Sequence, residues 1–231
     1  MHKTIGILGG MSPESTQEYY KYITRTYTER YGDHAYPEII IYSVSFQSYI
    51  DWPNQGRWDL VAQGLAQAAQ RLQAAGANFL IIATNTMHIV IDQVRGQVGI
   101  PVLSLLDAVS DAILARGMST VGLLGTRFTM ENPFYQDALA PKGISVLVPD
   151  GEDRRLVNAI IYDELVAGQI RDESRRVLVA IIEKLAARGA EGVILGCTEI
   201  PLLVSESDAS VPLFDTTVIH AEAALGYAVD A

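Results

Sequence analysis

The chain has one cysteine, Cys197, in 231 residues. A single cysteine excludes an intramolecular disulfide framework and fits a reducing compartment, so a cytoplasmic protein is expected. Positive charge is scarce as well: 17 Lys and Arg against 27 Asp and Glu leave a net charge of −10, and no basic run occurs. Nucleic acid and anionic membrane surfaces are attracted by a basic face, so neither is expected as a partner. No apolar stretch reaches the ~18 residues that span a bilayer. The N-terminal segment carries a short apolar run but no signal-peptide cleavage pattern. Histidines are few (His2, His34, His88, His220), without H-E-x-x-H or a Cys/His cluster, so no metal site is expected. Gly6, Gly9 and Gly10 do not fit G-x-G-x-x-G, and no G-x-x-x-x-G-K-[ST] loop occurs, which excludes both nucleotide-binding fingerprints.

What is present is alternation. Composition is 49% hydrophobic and 19% charged, ordinary for a soluble globular chain. Short apolar runs at 4–8, 39–44, 79–83, 102–105, 120–124, 145–148, 193–195 and 213–214 read as strands. Stretches such as 58–75 and 174–188 carry apolar residues at helical spacing. This pattern predicts an α/β fold of parallel sheets flanked by helices.

The chain also repeats itself. Ala75-Gly76-Ala77-Asn78-Phe79-Leu80-Ile81-Ile82-Ala83-Thr84 returns 113 residues later as Arg188-Gly189-Ala190-Glu191-Gly192-Val193-Ile194-Leu195-Gly196-Cys197. Thr4-Ile5-Gly6-Ile7-Leu8-Gly9 returns as Thr120-Val121-Gly122-Leu123-Leu124-Gly125, and Ile100-Pro101-Val102-Leu103 as Val211-Pro212-Leu213-Phe214. Generic self-similarity of α/β chains is the alternative. Three ordered matches at nearly equal offsets favour two pseudo-symmetric lobes, one of residues 1–105 plus 213–231 and the other of 106–212, with an active site in the cleft between them.

Small polar residues stand at the strand ends, where helices are predicted to start: Ser12, Thr84-Asn85-Thr86, Thr126 with Arg127 and Thr129, Cys197-Thr198, and Asp215-Thr216-Thr217. Helix N-termini present unpaired N–H groups and bind anions, so a converging set would hold a carboxylate. For any one of them, plain capping is the alternative. A helix N-terminus at Cys197 would lower its thiol below the free value of ~8.5; a buried, inert core cysteine is the alternative. His88, four residues after Thr84, is a candidate for a hydrogen bond within the site or for a structural histidine.

Taken together, Ile5-Gly6-Ile7-Leu8-Gly9-Gly10-Met11-Ser12, Thr84-Asn85-Thr86-Met87-His88, Leu124-Gly125-Thr126-Arg127-Phe128-Thr129-Met130, Gly196-Cys197-Thr198-Glu199-Ile200 and Phe214-Asp215-Thr216-Thr217-Val218-Ile219-His220-Ala221-Glu222 resemble the cofactor-independent aspartate/glutamate racemase superfamily over essentially the whole chain. The look is closest to the aspartate racemases of microcystin biosynthesis. The resemblance implies an amino-acid substrate, no cofactor, often a homodimer, and Cα proton removal and return on opposite faces. It implies Cys197 and Thr84 as the acid/base pair, although the family usually carries cysteine at both positions and only a subgroup has threonine. Substrate binding is expected at Met11, Ser12, Gln47, Asn85, Thr86, Thr126, Arg127, Thr129 and Thr198. The arginine that some members carry after the second strand is missing from Ser45-Phe46-Gln47-Ser48-Tyr49, and Val166 stands where a lysine is expected, which leaves Arg127 or Arg57 as side-chain carboxylate partners. Two other readings stay open: a single-cysteine carbanion enzyme resembling arylmalonate decarboxylase, and an inactive amino-acid-binding protein.

Overall fold

The computed structural model describes residues 2–229. The first part of the chain runs β1 (Ile5–Gly9), α1 (Pro13–Tyr31), β2 (Ile39–Ser43), α2 (Phe46–Asn54), α3 (Trp58–Ala74), β3 (Phe79–Ile82), α4 (Ile91–Arg95), β4 (Val102–Leu103) and α5 (Leu105–Ala115). The second runs β5 (Thr120–Leu124), α6 (Arg127–Glu131), α7 (Phe134–Leu139), β6 (Ser145–Leu147), α8 (Gly151–Ala159), α9 (Asp172–Ala187), β7 (Gly192–Leu195) and β8 (Leu213–Asp215), followed by α10 (Thr216–Val229). All eight predicted strands form, with ends shifted by at most two residues. Among the described residues no helix is long and apolar enough to cross a membrane.

Two four-stranded sheets result, ordered β2-β1-β3-β4 and β6-β5-β7-β8, and every pairing is parallel. The chain divides into two compact units, Met1–Ala108 with Thr217–Ala231, and Val109–Thr216. The expected boundary at 213 moves: Leu213, Phe214 and Asp215 pair with Val193, Ile194 and Leu195, so β8 closes the second sheet and only α10 returns to the first unit. The pairing agrees with the internal repeat, in which Leu213-Phe214 matches Val102-Leu103 of β4, the strand beside β3.

In the first unit the alternation of side chains along each strand fills two cores. Ile5, Ile7, Phe79 and Ile81 pack with Tyr19, Ile23, Ala224 and Leu225 of α1 and α10. Leu8, Leu80 and Ile82 pack with Val61, Leu65, Ala69 and Leu72 of α3. Both faces are therefore apolar, as a covered parallel sheet requires. In the second unit Leu124, Val193, Leu195 and Leu213 pack with Leu178, Ile181, Ile182 and Leu185 of α9 and with Val157 of α8.

The internal repeat extends to single hydrogen bonds. Helices α3 and α9 stop at left-handed glycines, Gly76 at φ 103° and Gly189 at φ 99°, a conformation that side-chain-bearing residues adopt only with strain. The next N–H turns back onto the helix in both copies, Ala77 to the Leu72 carbonyl (3.1 Å) and Ala190 to the Leu185 carbonyl (3.0 Å). Further on, the Asn78 N–H donates to the Thr4 carbonyl (2.9 Å) and the Glu191 N–H to the Thr120 carbonyl (2.8 Å). Leu72 and Leu185 occupy matching core positions and each is 1% exposed. Truncating either to alanine should lower unfolding free energy by about 2–5 kcal/mol, read in urea titrations as a fall in midpoint without a change in slope.

Candidate active site

Parallel strands release the chain at their carboxyl edges, and the candidate residues lie there. After β1 the chain turns at Gly9-Gly10. A Cβ on Gly9 would stand 2.5 Å from the Thr16 side chain, and one on Gly10 2.5 Å from the Val44 carbonyl. This absence of side chains lets the Gly10 N–H donate to Thr16 Oγ1 (2.8 Å), whose hydroxyl donates to the Ser12 carbonyl (3.1 Å). Ser12 caps α1 as expected, its Oγ accepting from the Ser15 N–H (3.3 Å), with Pro13 at the first helical position.

Thr84 follows β3. Its N–H bends back to the Ile82 carbonyl (2.8 Å), and the Ser15 hydroxyl donates to the carbonyl of Ala83 (3.0 Å). Residues Thr86–Val90 form a short 3-10 turn before α4, so the regular helix predicted at Thr84 starts only at Ile91. His88 bonds within this turn. Its Nε2 accepts from the Leu105 N–H (3.0 Å), which leaves the proton on Nδ1 to donate to the Thr84 carbonyl (2.8 Å). A second buried imidazole, His220, lies 5.7 Å away ring to ring. Its Nε2 donates to the Leu103 carbonyl (3.2 Å) and its Nδ1 accepts from the Tyr19 hydroxyl (2.8 Å). Burial pushes His88 down to about 4 and His220 down to about 3, so both are neutral at physiological pH.

The second unit ends β7 with the same exit. The Gly196 N–H donates to the Leu124 carbonyl (2.7 Å), as the Ala83 N–H does to the Leu8 carbonyl (2.9 Å). Cys197 then enters a turn, and the next helical element is the three-residue 3-10 segment Ile200–Leu202. The helix N-terminus expected to activate the thiol is absent. The electrostatics reverse accordingly. Burial, then the neighbouring Glu199 carboxylate, holds the Cys197 thiol well above its ordinary value. The Sγ–H donates to Glu199 Oε2 at 2.9 Å, and the Thr198 hydroxyl donates to the same oxygen at 2.9 Å. Tyr162 feels both groups: burial, then the charges of Cys197 and Glu199, raise its phenol. It sits in a π-helical stretch, Ile160–Leu165, a local geometry frequent at functional sites.

The other expected binding residues divide. Asn85 is buried and Thr86 half-buried, both beside Thr84 in sequence. Met11 is a core side chain, 4% exposed, so only its backbone can meet a ligand. Thr126 caps α6 by accepting from the Thr129 N–H (3.2 Å), and Thr129 is buried with its hydroxyl on Thr126 (3.1 Å). Thr198 serves Glu199. Gln47 is exposed and donates to Asp51 (2.9 Å). Arg127 is 67% exposed and pairs with Glu131 one turn on (3.4 Å). Arg57 is held by both oxygens of Asp59, at 2.8 and 2.7 Å. Neither arginine is left unpaired for a substrate carboxylate. Glu199 and Tyr162 are absent from the expected binding set. Glu199 lies two residues from Cys197, so an acidic side chain that close to a candidate catalytic thiol is the available signal. Tyr162 has none, because its placement depends on the π-turn.

A family model described as Asp/Glu/Hydantoin racemase matches residues 8–224. The chain belongs to this racemase family. Among solved structures it is similar to a putative Asp/Glu racemase from Yersinia pestis, with 46% identity, 98% of this chain and 99% of that one covered, and a TM-score of 0.93. It is also similar to an aspartate racemase homologue from Pyrococcus horikoshii, with 41% identity, 99% of each chain covered and a TM-score of 0.87. Among curated proteins it is similar to the broad specificity amino-acid racemase RacX of Bacillus subtilis, 24% identical over 221 residues that cover 94% of this chain and 95% of that one. The racemase fold is thus shared in full length, and the two four-stranded parallel sheets are those of this family.

Two measurements check the electrostatics. Ultraviolet titration of the thiolate should place the Cys197 midpoint above the free-thiol value of ~8.5. Glu199→Gln should lower that midpoint while burial keeps it above the free value. The buried imidazoles have folded values below their unfolded value, so the unfolded chain takes up protons first and stability falls with pH below ~6.5, by up to about 1.4 kcal/mol per pH unit for each histidine. The decline should level off near 4 for His88 and near 3 for His220. Denaturation midpoints between pH 6.5 and 5 should show this slope, reduced by about half in His220→Gln.

Proposed function

We propose that this racemase-family chain interconverts the enantiomers of aspartate, and also of glutamate, without a cofactor, with Cys197 and Thr84 as the two proton-transfer residues. The observation that carries this reading is the 2.9 Å bond from Cys197 Sγ to Glu199 Oε2. A thiol can remove a Cα proton only as thiolate, and a raised thiol needs an acceptor for its own proton. Glu199 is that acceptor. The proton moves from Sγ to Oε2, the thiolate takes the Cα proton, and the electron pair spreads into the substrate's α-carboxylate. Thr84 then donates its hydroxyl proton to the opposite face; Glu199 releases its proton to solvent and Thr84 regains one from solvent, so one proton leaves the carbon, one arrives, and all three residues return to their starting states. Exclusion of water strengthens N–H contacts to the growing negative charge.

The choice of aspartate is supported by the Pyrococcus relative's name and by the polar strand ends. A broader substrate range is the second reading. It is favoured by the pairing of Arg57 and Arg127 with their own carboxylates, which leaves the side-chain subsite without either expected cation, and by the description of RacX as broad in specificity.

Proton NMR of both enantiomers of aspartate, glutamate and neutral amino acids in deuterated water tests the reading. Wild-type protein should replace the Cα proton of aspartate and invert it. Cys197→Ala should lose the exchange by about 10²-fold or more, and Glu199→Gln should lower kcat by about 10²–10⁴-fold. Thr84→Ala should exchange one enantiomer with retention and fail to racemise it. A Cys197→Ala protein that exchanged at the wild-type rate would sink the assignment.

A further inference from the structure

We infer that His88 is the positioning residue of Thr84, a role that rests on the reading of Thr84 as a proton donor. Thr84 stands outside the sheet, past the last paired residue of β3, so strand pairing does not fix it. Two side chains take over. Ser15 of α1 holds the Ala83 carbonyl at 3.0 Å and His88 holds the Thr84 carbonyl at 2.8 Å, gripping consecutive peptide groups on either side of the Thr84 Cα. The imidazole is itself pinned, because the Leu105 N–H occupies Nε2 and dictates that Nδ1 carries the proton. At 3% exposure the ring is shielded from solvent.

The second copy of the repeat shows that this device is not a requirement of the fold. There the Cys197 carbonyl accepts from a backbone N–H, that of Ile200, at 3.2 Å. The residue 113 positions after His88 is Pro201, whose side chain can donate nothing. The histidine is found only in the copy that presents a hydroxyl. A hydroxyl hardly ionises and donates usefully only along a short, aligned path, and a displacement of about 1 Å can cost ~10²-fold in rate. A thiolate is a stronger base with a larger, more diffuse acceptor, and it tolerates a looser mount.

Two conservative variants separate positioning from packing. Asparagine at 88 places its amide nitrogen where Nδ1 was and can still donate to the Thr84 carbonyl. Glutamine places its amide where Nε2 was and keeps the Leu105 contact instead. Both replace a buried ring with a smaller amide. His88→Asn should racemise within about 3-fold of wild type, while His88→Gln should fall about 10- to 100-fold in kcat with KM little changed. In His88→Gln, deuterium should still enter the enantiomer served by Cys197, with retention. Equal losses in the two variants, or losses that only track melting temperature, overturn the role. An active wild type with an unimpaired His88→Gln overturns the role alone, whereas a wild type that exchanges no amino acid overturns the racemase reading and the role together. Where neither variant folds, nitrogen-15 NMR of the wild-type protein decides: a His88 proton on Nδ1, coupled across the hydrogen bond to the Thr84 carbonyl carbon, supports the role, and a proton on Nε2 overturns it.

Discussion

A carbonyl at the carboxyl edge of a parallel sheet has no further strand residue to bond, and buried peptide groups without partners are costly. That constraint shapes both candidate sites. The chain must turn away from the sheet at Ala83-Thr84 and at Gly196-Cys197, and each turn has to find donors nearby. Ser15 and His88 supply them after β3. Thr216 supplies one after β7, its hydroxyl donating to the Leu195 carbonyl at 3.0 Å. Groups recruited to satisfy the backbone therefore surround the two residues proposed to carry the chemistry. Small side chains dominate these edges for the same reason: Gly9, Gly125 and Gly196 all sit where a Cβ would run into a threonine or a neighbouring carbonyl.

Most of the architecture is legible because parallel strands covered on both faces are continuous apolar runs, and continuous runs survive reading without context. The repeat is legible because glycine stops such as Gly76 and Gly189 fix a left-handed residue that few others can replace. The segments just past the strand ends are much less legible. Thr84-Asn85-Thr86 and Cys197-Thr198-Glu199 both look like helix starts, yet each leads only into a short 3-10 segment, and neither has a side-chain cap bond that would mark an α-helical start. Ser12 and Thr126 are legible as caps because cap and helix are contiguous in the chain. Arg57 and Arg127 pair with carboxylates two and four residues away, and whether a local carboxylate takes a guanidinium depends on rotamers.

The raised thiol changes the demands on Cys197. A cysteine activated by a helix dipole is a thiolate at rest and is exposed to oxidation and alkylation. A cysteine bonded to Glu199 is a thiol at rest, so the reactive form exists only while the carboxylate holds its proton. In the proposed mechanism the bond to the same carboxylate that disfavours the resting thiolate supplies the route by which it forms. Thr198 donates to the same carboxylate oxygen and so fixes its direction.

The two copies of the repeat have thus kept one backbone path and diverged in what stands beside it. At the thiol copy the added group is a carboxylate, Glu199, bonded to the sulfur and proposed as its acid/base partner. At the hydroxyl copy it is a neutral imidazole bonded to the main chain. A thiol brought within hydrogen-bonding distance of a carboxylate can trade its proton, so tuning it means placing charge. A hydroxyl is too weak an acid for a carboxylate to ionise, so what remains to be tuned is where it points. The repeat gives two equivalent exits from two four-stranded sheets, and on the proposed roles the chemistry of sulfur and oxygen calls for different neighbours at each.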